Sequence, residues 1–145
     1  MQKLEHVNLV VSEIDPIVNF VTAAFPTWRV RGSGNQPFAG MERRWLHVGD
    51  DQDYLALTEY HLPPEEKGEP RDLSSPAPGL AHLGFEVSSI DEIVERLGKA
   101  GYEPSTWGAD HPQRRRVYFI EGDNIEFEFI EYFSDKAEER NSYED

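Results

Sequence analysis

The chain of 145 residues is predicted to form one domain with a substantial hydrophobic core, and it has a net charge of −14 and no cysteine. The missing cysteines exclude disulfides, thiolate metal ligands and cysteine nucleophiles, a composition typical of a cytoplasmic protein. Because the charge opposes nucleic-acid phosphates and no apolar run approaches the roughly 20 residues that span a bilayer, we expect neither nucleic acid nor a membrane as a partner.

The first predicted strand and helix belong to a stretch that occurs twice. LEHVNLVVSEIDPIV, residues 4–18, and LAHLGFEVSSIDEIV, residues 80–94, agree at eight of fifteen positions. In both copies apolar residues first alternate with other residues and then recur at helical spacing, which predicts a strand followed by a helix. A serine or an aspartate of each copy is the predicted helix cap: Ser12 or Asp15, and Ser88 or Asp91.

Three strand-like segments follow each predicted helix, so each half is predicted to be a βαβββ module. They lie near 27–33, 41–48 and 53–60, and near 102–107, 114–120 and 124–132, with one predicted turn at GSGN, 32–35. The predicted fold class is α+β, with two tandem βαβββ modules forming one cleft-shaped mixed sheet and a helix on the outer face of each. Within a single domain, 1–145, module one spans 3–61, a proline-rich linker 62–79, module two 80–132 and an acidic tail 133–145.

Two histidines occupy the same position in the two copies. His6 and His82 fall on the strand face opposite the apolar one, so we expect both to face the cleft. A lone strand histidine is more often a structural residue that hydrogen-bonds through both ring nitrogens, but the repetition favours metal ligands. The last strand, IEFEFIEY, adds a carboxylate on the same face, and Glu128 is the predicted third ligand because a buried unpaired Glu is costly. Glu126, nearer the turn, is predicted to be solvated.

Three further residues are predicted to line the cleft. Asn8 would orient a ligand, or else hydrogen-bond the neighbouring backbone. Arg116 and Tyr118 alternate with apolar residues, so they would hold an anionic substrate and donate to its oxygen. The alternative is an arginine at the sheet edge and a packed tyrosine with a solvated hydroxyl. His111 is predicted to be an exposed loop residue, and His47 is left out because of its strand parity.

The paired modules, the strands LEHVNLVV and LAHLGFEV, and the ending VYFIEGDNIEFEFIEY resemble the vicinal oxygen chelate superfamily over residues 3–132. This superfamily contains glyoxalase I, fosfomycin-resistance and bleomycin-resistance proteins, extradiol dioxygenases and methylmalonyl-CoA epimerase. The resemblance implies a metal site built from the first and last strands of the modules, which corresponds here to His6, His82 and Glu128. It also implies a homodimer, which would cover exposed strand edges.

Module one departs from the superfamily pattern. The position equivalent to Glu128 is Ala56, and Glu59 has the opposite strand parity, so it would need a register shift or a bulge to coordinate a metal. Without this carboxylate, the proton transfer of glyoxalase I-like members lacks one of its groups. A His-His-Glu triad leaves coordination positions free for a bidentate substrate, alone or with O2, on Fe, Mn, Ni or Zn.

Three functions are therefore compatible with the sequence. The favoured one is a metal-dependent lyase or dioxygenase that chelates a small oxygenated metabolite through vicinal oxygens. The second is a binding protein of the bleomycin-resistance type, which sequesters a small molecule without catalysis. The third is a metal-binding scaffold without turnover. The retained predicted ligands favour the first, whereas Ala56 keeps the second open.

Overall fold

The two predicted βαβββ modules are confirmed in a computed structural model, which describes residues 1–143. Module one contains β1 (His6–Val10), α1 (Asp15–Ala24), β2 (Arg29–Asn35), β3 (Arg43–Gly49) and β4 (Tyr54–Tyr60). Module two contains β5 (Leu83–Glu86), α2 (Ile90–Lys99), β6 (Thr106–Trp107), β7 (Arg114–Glu121) and β8 (Ile125–Tyr132), and the tail adds α3 (Ala137–Arg140). The chain divides into two compact units between Arg71 and Asp72, with one module in each.

Each module forms a four-stranded sheet with the same topology. The strand orders are β1-β4-β3-β2 and β5-β8-β7-β6, and the first strand is parallel to the last one in both. In module one Asn8 lies opposite Ala56, whereas in module two Gly84 lies opposite Glu128. The register therefore makes Ala56 the structural equivalent of Glu128, as the sequence alignment of the two modules predicts.

Both helices bury the predicted apolar stripe. The residues of these stripes that are at most 1% exposed are Ile14, Ile17 and Val21 in module one, and Ile90, Ile93 and Leu97 in module two. Burial of each such side chain contributes about 1.5–3 kcal/mol, which fixes the helix on the apolar face of its sheet and leaves the other face for function. None of the helices in residues 1–143 is long and apolar enough to cross a lipid bilayer.

The helix caps differ from the sequence prediction. The backbone N–H of Ile14 donates to Glu59 Oε1 (2.9 Å), and that of Ile90 donates to Glu131 Oε2 (3.0 Å). In α2 the capping serine is Ser89, whose hydroxyl oxygen accepts a hydrogen bond from the backbone N–H of the third residue after it. Equivalent glutamates of the last strands thus stabilise both helix N-termini, where a negative charge is favourable. Glu59 is therefore engaged at α1 and does not replace the carboxylate missing at Ala56.

The first hairpin turns later than predicted. β2 continues through the glycine-rich GSGN segment to Asn35, and the turn is formed by Ala39 and Gly40, with φ values of 52° and 78°. Two positive φ values in a two-residue loop are characteristic of a type I′ turn. The glycines instead leave room for an indole, since a Cβ on Gly34 would lie 2.9 Å from Trp45 Nε1.

The side chain of Arg140 ties the acidic tail to module two, in addition to hydrogen bonds from Arg114 to carbonyl oxygens of the tail. Arg140 donates from both terminal nitrogens to the Glu86 carboxylate (2.7 and 2.9 Å), and its guanidinium lies 4.0 Å from the Tyr132 ring centroid. The hydrogen bonds from Arg140 outweigh partial burial and lower the pKa of Glu86. Because the folded-state pKa is lowered, this contribution to stability is complete above the unfolded-state value near 4.3 and is lost as pH falls through the folded-state value.

We expect Arg140→Gln to lower the amide hydrogen-exchange protection factors of α3 at neutral pH. Acidification should lower them in the wild type, once the slower intrinsic exchange at low pH is taken into account. The free-energy change should not exceed about 1 kcal/mol, because the pair is partly exposed. Lys136→Gln is the control, since its ion pair with Glu139 (3.8 Å) lies within the tail itself. Exchange rates in α3 that are equal in wild type and Arg140→Gln would show that the arginine does not hold the tail.

Candidate functional site

Module two holds a buried carboxylate on the polar face of its sheet. Glu128 is 6% exposed and lies in β8 between Phe127 and Phe129, whose side chains are fully buried. Glu128 Oε1 accepts a hydrogen bond from the Tyr118 hydroxyl (3.1 Å), and Oε2 lies 2.8 Å from His82 Nε2. A carboxylate without partners would be costly to bury here, so these two contacts account for its position.

The His82 imidazole lies between two carboxylates. Its Nε2 faces Glu128, and its Nδ1 is 3.6 Å from Glu126 Oε1, which is ion-pair range but longer than a hydrogen bond. The Glu126 side chain is 23% exposed and that of Glu128 is 8% exposed, so Glu126 is the more solvated of the two, as predicted, although it is half-buried. A carboxylate behind an imidazole is a frequent companion of metal-binding histidines, because it orients the ring.

The Tyr118 hydroxyl is a hydrogen-bond donor at neutral pH. Burial raises the pKa of Tyr118, and the charge of Glu128 and the hydrogen bond to it raise the pKa further. The nearby Arg116 guanidinium opposes this rise in pKa but does not cancel it. Tyr118 therefore keeps its proton and can donate a hydrogen bond to Glu128 or to an oxygen of a bound molecule.

The distance between His82 and Glu128 suits two ligands of one metal ion. Bonds of about 2.0–2.2 Å from a divalent ion to an imidazole nitrogen and a carboxylate oxygen place those two atoms about 3 Å apart. The N/O donor pair suits Fe, Mn, Ni or Zn. Within residues 1–143, no group of three or more His, Asp or Glu side chains is close enough to hold an ion. Module two thus supplies two donors that fit a metal.

The equivalent position in module one is a small polar cavity. Its volume is about 220 Å3, and Asn8, Trp45, His47, Ala56 and Thr58 contribute to its lining. Asn8 Oδ1 accepts a hydrogen bond from the Thr58 hydroxyl (3.0 Å), so its oxygen is bound to a side chain and not to the backbone. The small Ala56 side chain leaves space where module two has its buried carboxylate.

Sequence analysis missed His47, which lines this cavity opposite Ala56 in the strand register. The alignment of β3 with β7 could have found it, because His47 corresponds to Tyr118, which also faces the residue opposite on the last strand. Burial lowers the pKa of His47, and the charges of Arg31 and His6 lower it further. The imidazole is therefore neutral at neutral pH and available as a hydrogen-bonding group or a ligand.

His6 is an exposed residue of module one. Its Nδ1 lies 3.0 Å from Glu5 Oε1, and its ring stacks on Tyr54 with 4.6 Å between centroids and 11° between planes. The Arg31 guanidinium also lies over the Tyr54 ring, at 4.3 Å. Stacking on Tyr54 and the contact with Glu5 both restrain the orientation of the imidazole. Its part in metal binding stays a prediction.

Arg116 and His111 line a larger cavity of about 570 Å3 in module two. Arg116 is two residues from Tyr118 on β7, so the two side chains share the polar face, as predicted. His111 is half-buried, which makes the prediction of an exposed loop histidine wrong. The loop before β7 forms a tight turn closed by an antiparallel backbone bridge between His111 and Arg114, which was not evident from the sequence.

Solved structures with the same fold include several bacterial proteins. A glyoxalase family protein from Bacillus cereus is 20% identical, with a TM-score of 0.72 over 92% of this chain and 96% of that one. A glyoxylase/bleomycin resistance protein/dioxygenase domain from Frankia sp. EAN1pec is 24% identical, with a TM-score of 0.69 over 91% and 98%. The fosfomycin resistance protein FosX from Listeria monocytogenes, complexed with Mn(II) and sulfate, is 21% identical, with a TM-score of 0.59 over 98% and 99%.

Because these three structures are at most 24% identical to the chain, they show its fold alone. The family is assigned by sequence comparison. A search of curated proteins gave no significant match. The family model described as Glyoxalase/Bleomycin resistance protein/Dioxygenase superfamily matches residues 3–134, which is nearly the whole chain. The protein therefore belongs to the glyoxalase/bleomycin resistance/dioxygenase superfamily, the vicinal oxygen chelate group that its repeated strands resemble.

Proposed function

We propose that the protein is a metal-dependent enzyme of the glyoxalase or dioxygenase type. Its substrate is a small oxygenated metabolite that binds a divalent metal through two vicinal oxygens, and His6, His82 and Glu128 are the proposed ligands. The observation that carries this proposal is the buried Glu128 carboxylate, 2.8 Å from His82 Nε2 on the polar face of the sheet. A homodimer in the cytoplasm, without nucleic-acid or membrane partners, is the expected form.

The metal, when bound, would supply the positive charge that stabilises an enolate or oxyanion of the substrate. The Tyr118 hydroxyl is a hydrogen-bond donor and would orient either Glu128 or a substrate oxygen. Arg116 presents a positive charge two residues away on the same strand face. Asn8, whose oxygen is bound to Thr58, keeps its amide N–H groups for a ligand. These three residues are the proposed binding and orienting groups of the reaction.

FosX from Listeria monocytogenes was solved with Mn(II), and an E126Q variant of it with Mn(II) and a dihydroxypropylphosphonic acid. These complexes support a divalent metal in the present protein as well, and Mn is one of the four ions that its donor set suits. A small molecule with two adjacent oxygens is likewise compatible with the proposed substrate class.

A binding protein that sequesters its ligand without catalysis is the second candidate. Two observations favour it: Ala56 stands where a second carboxylate would complete the site, and Glu59 is engaged at the α1 N-terminus. The cavity of about 220 Å3 in module one, lined by Trp45 and neutral His47, would accept part of an uncharged ligand. The same missing carboxylate argues against glyoxalase I-like isomerisation.

Metal content tests the proposal. Wild type purified without added metal should carry close to one divalent ion per chain by elemental analysis, and His82→Ala should carry much less. Loss of a direct ligand should cost more than the roughly 10- to 100-fold in metal affinity typical of outer-shell changes. His61→Ala, at an exposed histidine, is the matched control. Equal, substoichiometric metal in wild type and His82→Ala would refute metal coordination at this site.

Turnover assays then separate the candidate functions. Oxygen uptake with catechols would indicate a dioxygenase, and consumption of a glutathione hemithioacetal would indicate a glyoxalase. Tight binding of a small molecule to wild-type protein that turns over neither substrate class would favour sequestration.

A further inference from the structure

The cavity of about 570 Å3 in module two is rich in positive charge although the protein is strongly acidic. Its lining includes three consecutive arginines, Arg114, Arg115 and Arg116, together with His111 and the exposed Asp110. Two aromatic residues complete the walls: Trp107 is 48% exposed and Phe133 is 53% exposed. In a chain with a net charge of −14, such a concentration of cations calls for a local explanation.

Two of the three arginines already have partners within the protein. Arg115 donates to Asp91 Oδ1 (3.2 Å) on α2, and Arg114 donates to the backbone oxygens of Arg140 and Ser142 in the tail (3.3 and 2.9 Å). Arg116 differs, because its Nε is buried and has no hydrogen-bond partner among residues 1–143. A buried donor on a charged group without an acceptor is costly, so the protein itself leaves the charge of this guanidinium uncompensated.

The His111 ring offers a second donor of the same kind. Its Nδ1 accepts a hydrogen bond from the backbone N–H of Gln113 (3.1 Å), so the neutral ring carries its proton on Nε2. Nε2 is buried and likewise has no partner within the described part of the chain. Both residues with an unpartnered N–H group line the same cavity, so its wall combines two groups that lack an acceptor within the described part of the chain.

The β6–β7 hairpin holds Arg116 in place. Gly108 lies so close that a Cβ at this position would be 2.9 Å from both Cβ and Nε of Arg116. The Gly108 N–H also donates to the Arg116 carbonyl oxygen (2.9 Å). The hairpin thus packs against Nε, so a ligand in the cavity would meet the terminal nitrogens of the guanidinium. The hairpin also restricts the side chain, which reduces the entropy lost when a ligand binds.

The cavity and the candidate metal site adjoin each other along one strand. Arg116 and Tyr118 are two residues apart on the same face of β7, which corresponds to about 7 Å. Tyr118 donates a hydrogen bond to Glu128 (3.1 Å), so it lies between the Arg116 guanidinium and this proposed metal ligand. One small molecule can therefore contact Arg116 at one end and Tyr118 or Glu128 at the other.

We propose that Arg116 and His111 form an anion-binding subsite that takes the carboxylate or phosphoryl group of a small molecule bound in this cavity. The substrate class is then a small organic acid with its vicinal oxygens about 7 Å from its anionic group. This last step rests on the proposed function, whereas anion binding in the cavity does not require a metal.

Metal-free protein titrated with benzoate, phenyl phosphate and neutral benzamide tests the subsite. The readout is the indole N–H resonance of Trp107, which Trp107→Phe identifies among the three tryptophans. Both anions should shift this resonance saturably, and benzamide should bind at least tenfold more weakly. Arg116→Met should weaken anion binding by about tenfold or more, because a charged hydrogen bond is lost, and Arg116→Lys should weaken it less.

His111→Ala should also weaken anion binding, and Arg29→Met, which removes an exposed arginine paired with Asp51 (2.6 Å), should leave it unchanged. Equal affinity of benzoate for wild type and Arg116→Met, or equal affinity for benzoate and benzamide, would overturn the proposal. If the wild type binds the anions but no divalent metal, the proposed function alone is refuted. If it binds a divalent metal but not the anions, the subsite alone is refuted.

Discussion

Glu128→Gln is expected to lower the affinity for a divalent metal by at least about 100-fold, beyond the 10- to 100-fold typical of outer-shell changes. The substitution keeps the shape of the side chain but removes the charge that faces His82 Nε2 at 2.8 Å. The amide also has only one oxygen to share between Tyr118 and an ion. Titration of metal-free protein with Mn(II), followed by electron paramagnetic resonance or calorimetry, measures this change.

Glu131→Gln is the matched control, because it lies three residues further along the same strand and faces the helix. It accepts from the Ile90 N–H (3.0 Å), so its replacement should destabilise the fold by about 1 kcal/mol and leave metal affinity unchanged. If both variants lose metal equally, the effect comes from general destabilisation and Glu128 is not a ligand.

Phe129→Ala is expected to lower the free energy of unfolding by about 3–5 kcal/mol. Phe129 is fully buried, and its ring centroid lies 5.8 Å from that of Phe119 and 6.1 Å from that of Phe85. Truncation removes this apolar burial and leaves a cavity that neighbouring strands cannot fill. A domain of this size is typically stable by only about 5–15 kcal/mol, so urea denaturation should reveal the loss clearly.

Ile120→Ala on β7 is the control for Phe129→Ala. Ile120 is 38% exposed, so its truncation should cost about 1 kcal/mol or less. Similar costs for the two variants would mean that the apolar face of this sheet is not the main source of stability in module two.

The βαβββ organisation and the buried faces of β8 and α2 were predictable because they depend on local periodicity. Alternation in β8 separates the buried Phe127 and Phe129 from Glu128, and helical spacing gives the buried stripe of α2. Alignment of the last strands, residues 54–60 with residues 126–132, identified Ala56 as the equivalent of Glu128, and the strand registers agree with it. Patterns of this kind need no knowledge of distant contacts.

Other features depend on residues far apart in the chain and were therefore not predictable from local pattern. Glu59 accepts a hydrogen bond from the N-cap residue Ile14, forty-five positions earlier in the sequence, so no neighbouring residue signals its role. His47 joins the polar face only through its register with Ala56, and the unpartnered nitrogens of His111 and Arg116 arise where a loop folds over a strand. Periodicity reports which face a side chain occupies, whereas its partners, burial and pKa are set by strand register and loop packing, which bring separate segments together.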